Sequence, residues 1–173
     1  VPVYWMASED HDFEEISSFR FQGKSIRWPR EAAGAVGEMS LEELQPALDV
    51  FEQQLGGGMN AERIKELITQ SYRTSKTLSE ATFRLVNLLF GDYGLIVVEP
   101  QKPELKALFK PILKEELLKS PSFNAVTKQI KQLKKGFDSN YTPQVNPREI
   151  NLFYLTPNGR HRIEKIADRF HLN

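Results

Sequence analysis

The stretch Val1-Pro-Val-Tyr-Trp-Met-Ala-Ser-Glu-Asp-His-Asp-Phe-Glu-Glu-Ile16 decides the prediction of the fold. Its first six residues are apolar at odd and even positions alike, which predicts a strand with both faces buried. Strands of that kind belong to parallel sheets covered by helices. The run Gly94-Leu-Ile-Val-Val-Glu-Pro100 has the same character. With helical patterns between and after these two runs, the sequence predicts an α/β fold with a parallel sheet.

Start signals and periodic apolar residues predict the elements between the two strands. Phe19 to Trp28 alternates around Gly23 and predicts a hairpin. Ser40-Leu-Glu-Glu43 and Thr77-Leu-Ser-Glu80 both match the capping box that begins a helix. Asn60 is the expected cap of a third helix.

Two further helices are predicted after the second strand. Pro103 to Lys119 is expected to turn a set of apolar residues inward: Leu105, Leu108, Phe109, Ile112 and Leu117. Ser120-Pro121 then starts a helix in which apolar residues step by three and four, the spacing of a coiled-coil seam. The seam consists of Phe123, Val126, Ile130, Leu133 and Phe137.

We expect one α/β domain over residues 1–173, in three parts. The first covers 1–119 and contains the sheet with its inserted hairpin and helices. The amphipathic helix covers 120–137, and a loop with a terminal hairpin covers 138–173. Because the chain begins without Met, directly inside a strand-like run, we expect it to be a fragment of a longer polypeptide.

Composition narrows the classes of function. The 23 basic and 23 acidic residues cancel, so no net charge recruits nucleic acid or an anionic membrane. The chain has no cysteine, which excludes disulfides, thiolate metal sites and a cysteine nucleophile within it. No signal peptide or apolar run of about 20 residues is present. These features predict a cytoplasmic protein with small-molecule partners.

The segment Glu9-Asp-His-Asp12 is the first candidate for chemistry, because ligands of open α/β sheets bind beyond the carboxyl ends of the strands. A carboxylate beside an imidazole can orient the ring and raise its basicity, and grouped carboxylates can hold Mg²⁺. The alternative is structural: Asp12 followed by Glu14 and Glu15 is typical of a helix N-terminus. That alternative leaves Glu9, Asp10 and His11 unexplained. These three residues therefore favour a functional site.

Other segments carry weaker signals. Gly91-Asp-Tyr-Gly94 is typical of a helix stop, and Glu99 repeats the strand-end position of the acidic cluster with a single carboxylate. The loop Tyr141 to Asn151 holds amide and guanidinium groups between two prolines, and such groups can bind a carboxylate or sugar hydroxyls. No glycine-rich phosphate loop, Gly-x-Ser-x-Gly or His-Glu-x-x-His motif is present. Residue patterns alone therefore reach an α/β domain with an acidic strand-end site.

Three motifs resemble those of the bacillithiol biosynthesis cysteine-adding enzymes. They are the opening sixteen residues, Phe90-Gly-Asp-Tyr-Gly-Leu-Ile-Val-Val98 with the following Pro103-Glu-Leu-Lys106, and Gln144-Val-Asn-Pro-Arg-Glu-Ile-Asn-Leu-Phe-Tyr154. The resemblance implies a Rossmann-like core, a helical coiled coil used for homodimerisation, and an amide-forming ligase that joins cysteine to glucosaminyl malate. It also implies a longer protein, so that this chain alone is expected to be inactive.

The implied chemistry needs an activated carboxyl group, with ATP as the expected activating cofactor and Mg²⁺ as its companion ion. His11, oriented by Asp10 or Asp12, is then the expected base, and these three residues form the predicted catalytic set. The predicted substrate-binding set is Trp5, Glu9, Tyr93, Gln144, Asn146, Arg148 and Asn151.

Two other classes of function remain open at this stage. One is a non-catalytic interaction module that associates through the 123–137 seam. The other is a nucleotidyltransferase or tRNA-modifying relative, which would bind RNA with a steep salt dependence.

Overall fold

The computed structural model describes residues 1–32, 34–137 and 141–173. The chain divides into two compact units. Unit 1 consists of Val1–Lys102 with Pro157–Gly159, and unit 2 consists of Pro103–Thr156 with Arg160–Asn173. The sequence predicted internal boundaries after residues 119 and 137, whereas in the structure the helix that begins at Pro103 already belongs to unit 2.

Unit 1 alternates short strands with helices. In chain order its elements are β1 (Val3–Trp5), α1 (Phe13–Ile16), β2 (Ser18–Phe21), β3 (Lys24–Arg27), α2 (Gln45–Leu55), α3 (Ala61–Ile68), α4 (Leu78–Phe90) and β4 (Ile96–Val98). A π-helical turn continues α3 from Thr69 to Arg73, and a 3-10 turn covers Val36–Glu38.

The hairpin predicted around Gly23 is confirmed. Strands β2 and β3 pair antiparallel, with Phe21 opposite Lys24. Gln22 and Gly23 both have positive φ, 48° and 78°, the backbone that a two-residue turn needs to follow the twist of its strands. Phe21 packs edge-on against Phe51 of α2 at 5.1 Å between ring centroids, which fixes the hairpin to that helix.

The apolar core of unit 1 lies between this hairpin and the helices. Its buried members are Phe13, Ile26, Trp28, Val36, Met39, Leu41, Leu44, Ala47, Leu48 and Ala81. Phe13 and Trp28 meet edge to face at 5.3 Å, which joins the short helix α1 to the segment after β3. The core therefore anchors the chain directly after residues 7–12, through Phe13.

The parallel sheet is confirmed as the pair β1 and β4, in which Val3 lies opposite Ile96 and Trp5 opposite Val98. The prediction that both faces of β1 are buried is wrong for this chain. Val3 is 56% exposed and Trp5 57%, and Met6 just beyond the strand is buried. The physical reason is that the core forms around the hairpin and does not cover both faces of the pair.

The predicted helix starts are confirmed in one case and wrong in another. Thr77 caps α4 by accepting a hydrogen bond from the Glu80 N–H at 3.3 Å, as the capping box predicts. Ser40 does not cap α2, which begins five residues later at Gln45 with a proline in its first turn. Proline is favoured there because the first N–H groups of a helix have no partner within it. Asn60 does lie at the N-cap position of α3, but its side chain makes no capping bond.

Unit 2 contains α5 (Pro103–Lys119), α6 (Pro121–Gly136), β5 (Phe153–Thr156), β6 (Gly159–Ile166) and β7 (Arg169–Leu172). The strands form one sheet in the order β5-β6-β7, and the sequence did not predict β7. Both helices are confirmed, but the inward set of α5 is wrong: Leu108 is 72% exposed and Ile112 60%. The buried residue of α5 is Glu116. Among the described residues, no helix is both long and apolar enough to cross a bilayer.

Candidate functional site

The carboxyl ends of β1 and β4 meet at one edge of the parallel pair. The Met6 N–H donates to the Val98 carbonyl at 3.0 Å, so residues that follow both strands leave the sheet side by side. The segment Glu9–Asp12 follows β1 at this edge, and Glu99 follows β4 directly. The predicted strand-end position of the acidic segment is therefore confirmed.

Asp10 shapes this segment through its backbone neighbours. Its N–H donates to the Ala7 carbonyl at 3.1 Å, and its Oδ1 accepts the N–H groups of His11 at 2.7 Å and of Asp12 at 3.3 Å. Asp12 stands at the N-cap position of α1, but its side chain makes no capping bond. The predicted capping role of Asp12 is thus wrong, because Asp10 supplies the carboxylate that receives the N–H groups at this turn.

The imidazole of His11 is the unusual group of the segment. Both of its ring nitrogens are buried, and neither has a hydrogen-bond partner within the described part of the chain. The predicted pairing of the ring with Asp10 or Asp12 is therefore wrong, since Asp10 binds the backbone N–H of His11 instead. A neutral imidazole offers one donor and one acceptor, and each buried polar group left unpaired costs about 1–3 kcal/mol. A ligand that pairs with these nitrogens would recover that free energy.

The carboxylates of the segment do not form a metal cage. Across residues 1–32, 34–137 and 141–173, no three His, Asp or Glu side chains group in a way that could hold a metal ion. Mg²⁺ needs several oxygen ligands in a compact octahedral arrangement. Mg²⁺ that accompanies a nucleotide takes only one or two carboxylates from the protein, with waters and phosphates as its other ligands, so Mg²⁺ remains a prediction and no step is assigned to it.

Trp5 and Tyr93 are the other predicted residues of unit 1. Trp5 is the last residue of β1 and is half exposed. Tyr93 is 82% exposed and ends the 3-10 turn Gly91–Tyr93, after which Gly94 turns left-handed with φ 79°. The helix-stop interpretation of this motif is confirmed. The binding roles of Trp5, Glu9 and Tyr93 remain predictions.

The remaining predicted residues lie in unit 2. Gln144, Asn146 and Arg148 have exposed side chains, and the Arg148 guanidinium lies 6.0 Å from the centre of the Phe153 ring. Asn151 is held through its backbone, whose N–H donates to Glu116 at 3.0 Å. The predicted site residues are thus divided between unit 1 and unit 2.

Sequence reasoning missed the partners of two buried carboxylates. Glu99 accepts hydrogen bonds from the hydroxyls of Ser8 and Ser79. Burial opposes ionisation of Glu116, but the hydrogen bonds from Asn151 and Ser122 outweigh it, and the pKa of this carboxyl lies below its usual range. Glu116 had a detectable signal, because it stands four residues after Ile112, where the helical period predicts an apolar side chain.

Comparison with known proteins agrees with this arrangement. The family model described as "Bacillithiol biosynthesis BshC, N-terminal Rossmann-like domain" matches residues 1–173. The chain belongs to the BshC family. The BshC assignment confirms the Rossmann-like fold class and the resemblance of the three motifs.

Several curated members of the BshC family are similar over nearly the whole chain, each bearing the name "Putative cysteine ligase BshC". The protein of Flavobacterium johnsoniae is 47% identical over 173 residues, which cover 100% of this chain and 32% of that protein. The protein of Christiangramia forsetii is 42% identical over 94% of this chain, and that of Salinibacter ruber is 30% identical over 95%. The chain spans about a third of the length of these relatives.

Proposed function

We propose that the full-length protein containing this chain is a ligase that joins cysteine to glucosaminyl malate, the last step of bacillithiol biosynthesis. The segment Glu9–Asp12 contributes to its active site. The observation that carries the site is His11 at the carboxyl edge of a parallel strand pair: its side chain is half-buried, and its two buried ring nitrogens have no hydrogen-bond partner among the described residues. The names of the relatives support the reaction class.

The reaction is amide formation with ATP as a second substrate. A free carboxylate is a poor acyl donor, so the cysteine carboxylate first attacks ATP and forms a mixed anhydride. This is either an acyl phosphate, with release of ADP, or an acyl adenylate, with release of pyrophosphate. The amine of glucosaminyl malate then attacks the acyl carbon, forms the C–N bond and expels phosphate or AMP. Because the attacking amine must lose a proton, a base must stand beside it.

His11 is the base in this proposal. Among residues 1–32, 34–137 and 141–173 the ring has no hydrogen-bond partner, so in this proposal one nitrogen accepts the amine proton. Asp10 acts through the backbone N–H groups of His11 and Asp12, which it holds in place. Glu9 and Asp12 provide negative charge suited to an ammonium group. Trp5 and Tyr93 offer aromatic surface at the same unit.

Within unit 2 itself, we assign the polar donors of the loop before β5 to the binding of carboxylate groups. Gln144, Asn146 and Arg148 are exposed, and a guanidinium can bind a carboxylate through two parallel hydrogen bonds. Malate supplies such carboxylates. Asn151 completes this set, and Glu116 fixes its backbone. The full-length protein acts as a homodimer in the cytoplasm, and sedimentation velocity checks the dimer.

The test uses the full-length protein with ATP, cysteine and glucosaminyl malate, and measures the thiol product by mass spectrometry. His11→Ala should lower kcat about 10²- to 10⁴-fold, the usual contribution of general-base catalysis. Asp10→Asn should have a smaller effect in the same direction. His171→Ala, on the exposed strand β7, is the matched control and should stay at the wild-type rate. Near-wild-type kcat for folded His11→Ala would overturn the assignment.

Two more measurements complete the test. Release of ADP and phosphate indicates the acyl phosphate, whereas release of AMP and pyrophosphate indicates the acyl adenylate. Complementation of a bacillithiol-deficient strain by the full-length parent tests the reaction in the cell. An interaction module without catalysis predicts no thiol formation in either assay, and the names of the relatives do not favour it.

A further inference from the structure

Glu99 joins three parts of unit 1 through one buried carboxylate. It follows β4 directly and is 7% exposed. Its Oε1 accepts hydrogen bonds from the Ser8 hydroxyl and, at 3.1 Å, from the Gln101 N–H. Its Oε2 accepts one from the Ser79 hydroxyl in the first turn of α4. The end of β4, the start of α4 and the segment after β1 therefore meet at this side chain.

Ser8 is held from the opposite side by the 3-10 turn Val36–Glu38. Its carbonyl accepts the Gly37 N–H at 2.9 Å, and the Asp10 carbonyl accepts the Val36 N–H at 2.7 Å. Two backbone bonds thus attach residues 8–10 to the turn. The Ser8 side chain, which is buried, is left to attach the segment to Glu99.

Gly37 shows how tightly Ser8 is enclosed. A Cβ atom at position 37 would lie 2.6 Å from the Cβ of Ser8 and 2.7 Å from its carbonyl oxygen. Contacts that short do not occur without displacement of the backbone. Ser8 is therefore fixed between the turn and Glu99, three residues before His11.

We propose that Glu99 is a positioning residue: through Ser8 it fixes the segment that carries His11, and so aims the imidazole at the substrate amine. This inference rests on the proposed function of His11. Three donors occupy the two carboxylate oxygens, so Glu99 acts by holding the chain and does not touch the substrate. A carboxylate suits this task because its two oxygens can accept several hydrogen bonds at once.

The kinetic test uses the full-length enzyme. Glu99→Ala should lower kcat about 10- to 100-fold, the effect of misplacing a catalytic group by about 1 Å. KM for glucosaminyl malate should stay within about twofold, because the loss falls on the transition state. Ser8→Ala should lower kcat about tenfold. Glu99→Gln should restore most of the rate, since its amide can accept from Ser8 and donate to the Ser79 oxygen.

Ser71→Ala is the matched control. Ser71 is fully buried, like Ser8, but its hydroxyl donates to the Leu67 carbonyl one turn earlier in its own helical segment. Its loss should leave kcat unchanged. If Ser71→Ala lowers kcat as much as Ser8→Ala does, the effect is one of general stability and the inference is overturned.

Hydrogen exchange supplies a readout that does not depend on the reaction. The amides of Val36 and Gly37 donate to residues 8–10, so Glu99→Ala and Ser8→Ala should speed their exchange about tenfold. Unchanged exchange and unchanged kcat in both variants, with His11→Ala inactive, would overturn the role of Glu99 and leave the proposed function standing. Full activity of His11→Ala would overturn the proposed function, and the catalytic role of Glu99 with it. If Glu99→Ala does not fold, Ser8→Ala measured against Ser71→Ala decides.

Discussion

Glu99 in unit 1 and Glu116 in unit 2 are both buried carboxylates that tie a segment of predicted site residues to the start of a helix. Their donors differ. Glu99 receives two side-chain hydroxyls and one N–H, whereas Glu116 receives the backbone N–H groups of Asn151 and Ser122 together with a bond from the Ser122 side chain. A hydroxyl can rotate to donate or accept, but a backbone N–H can only donate. We call the hydrogen-bonded surroundings of Glu99 the unit 1 junction and those of Glu116 the unit 2 junction. The unit 1 junction should tolerate replacement of a carboxylate oxygen by a donor NH₂ group, and the unit 2 junction should not.

The largest effect is expected from Gly37→Ala, which tests how tightly the Glu99 junction is closed. The added methyl would meet the backbone and Cβ of Ser8 at less than 3.0 Å. We expect a loss of about 3 kcal/mol in the opening free energy of unit 1, the upper range for overpacking. Native-state hydrogen exchange measures it. Gly57→Ala is the control, because nothing lies within 4 Å of its added methyl, and equal effects of the two changes would contradict the enclosure of Ser8.

The second prediction compares the two glutamates directly. In Glu116→Gln, the side-chain NH₂ group would face a backbone N–H, and neither donor could accept a hydrogen bond from the other. We expect this change to lower the free energy of opening around Glu116 by about 2 kcal/mol. Glu99→Gln can keep all its bonds by rotation of the Ser79 hydroxyl, so it should cost less than about 1 kcal/mol. Exchange of the Asn151 and Gln101 amides reports the two junctions. A larger loss of exchange protection at Gln101 in Glu99→Gln than at Asn151 in Glu116→Gln would contradict the comparison.

A third, smaller effect concerns the helix end that brings Ser79 to Glu99. Thr77→Ala removes the hydroxyl that accepts the Glu80 N–H and should cost about 1 kcal/mol, the usual value of an N-cap. Ser25→Ala is the control, because Ser25 is an exposed residue of the hairpin strand β3, and its loss should change stability by only about a few tenths of a kcal/mol. The exchange rate of the Glu80 amide measures the difference. Equal effects would mean that Thr77 contributes no cap.

The smallest effect is a pH dependence of stability at Glu116. The pKa of its carboxyl in the folded chain lies below the ordinary 4.5, because hydrogen bonds from Asn151 and Ser122 outweigh the effect of burial. The stability it contributes is therefore fully present above pH 4.5 and is lost as the pH falls through the folded pKa. The melting temperature of the wild type should fall more than that of Glu116→Gln on going from about pH 6 to about pH 3. Melting temperatures that fall equally with pH in the wild type and in Glu116→Gln would contradict this prediction.

The elements with local signals were predictable from the sequence. Gly23 within an alternating run predicts the hairpin, Thr77 with Glu80 predicts the start of α4, and Ser120-Pro121 predicts that of α6. Each signal lies within a few residues of the structure it specifies. The start of α2 was missed because a match to the capping box at Ser40 does not exclude a later start at a proline.

The features that depend on distant residues were not predictable. Ser8 and Glu99 are 91 residues apart, and Glu116 and Asn151 are 35 apart, so no local pattern connects them. The position of His11 at the strand end followed from the parallel sheet. The lack of a carboxylate partner for its ring, among the described residues, could not be predicted. It depends on Asp10 binding a backbone N–H, which is one of several hydrogen bonds that an aspartate can make. Apolar composition likewise predicted burial of β1 without showing which faces this chain covers.

The most direct test of the central claim observes the imidazole of His11 itself. The full-length protein labelled with ¹⁵N at histidine is titrated with glucosaminyl malate, and the ring nitrogen resonances are followed. We predict that the His11 resonances shift with saturation, because the ligand pairs with nitrogens that have no partner in the part of the chain that the structure describes, while those of His171 do not move. Saturating binding that leaves the His11 resonances unchanged would contradict the account.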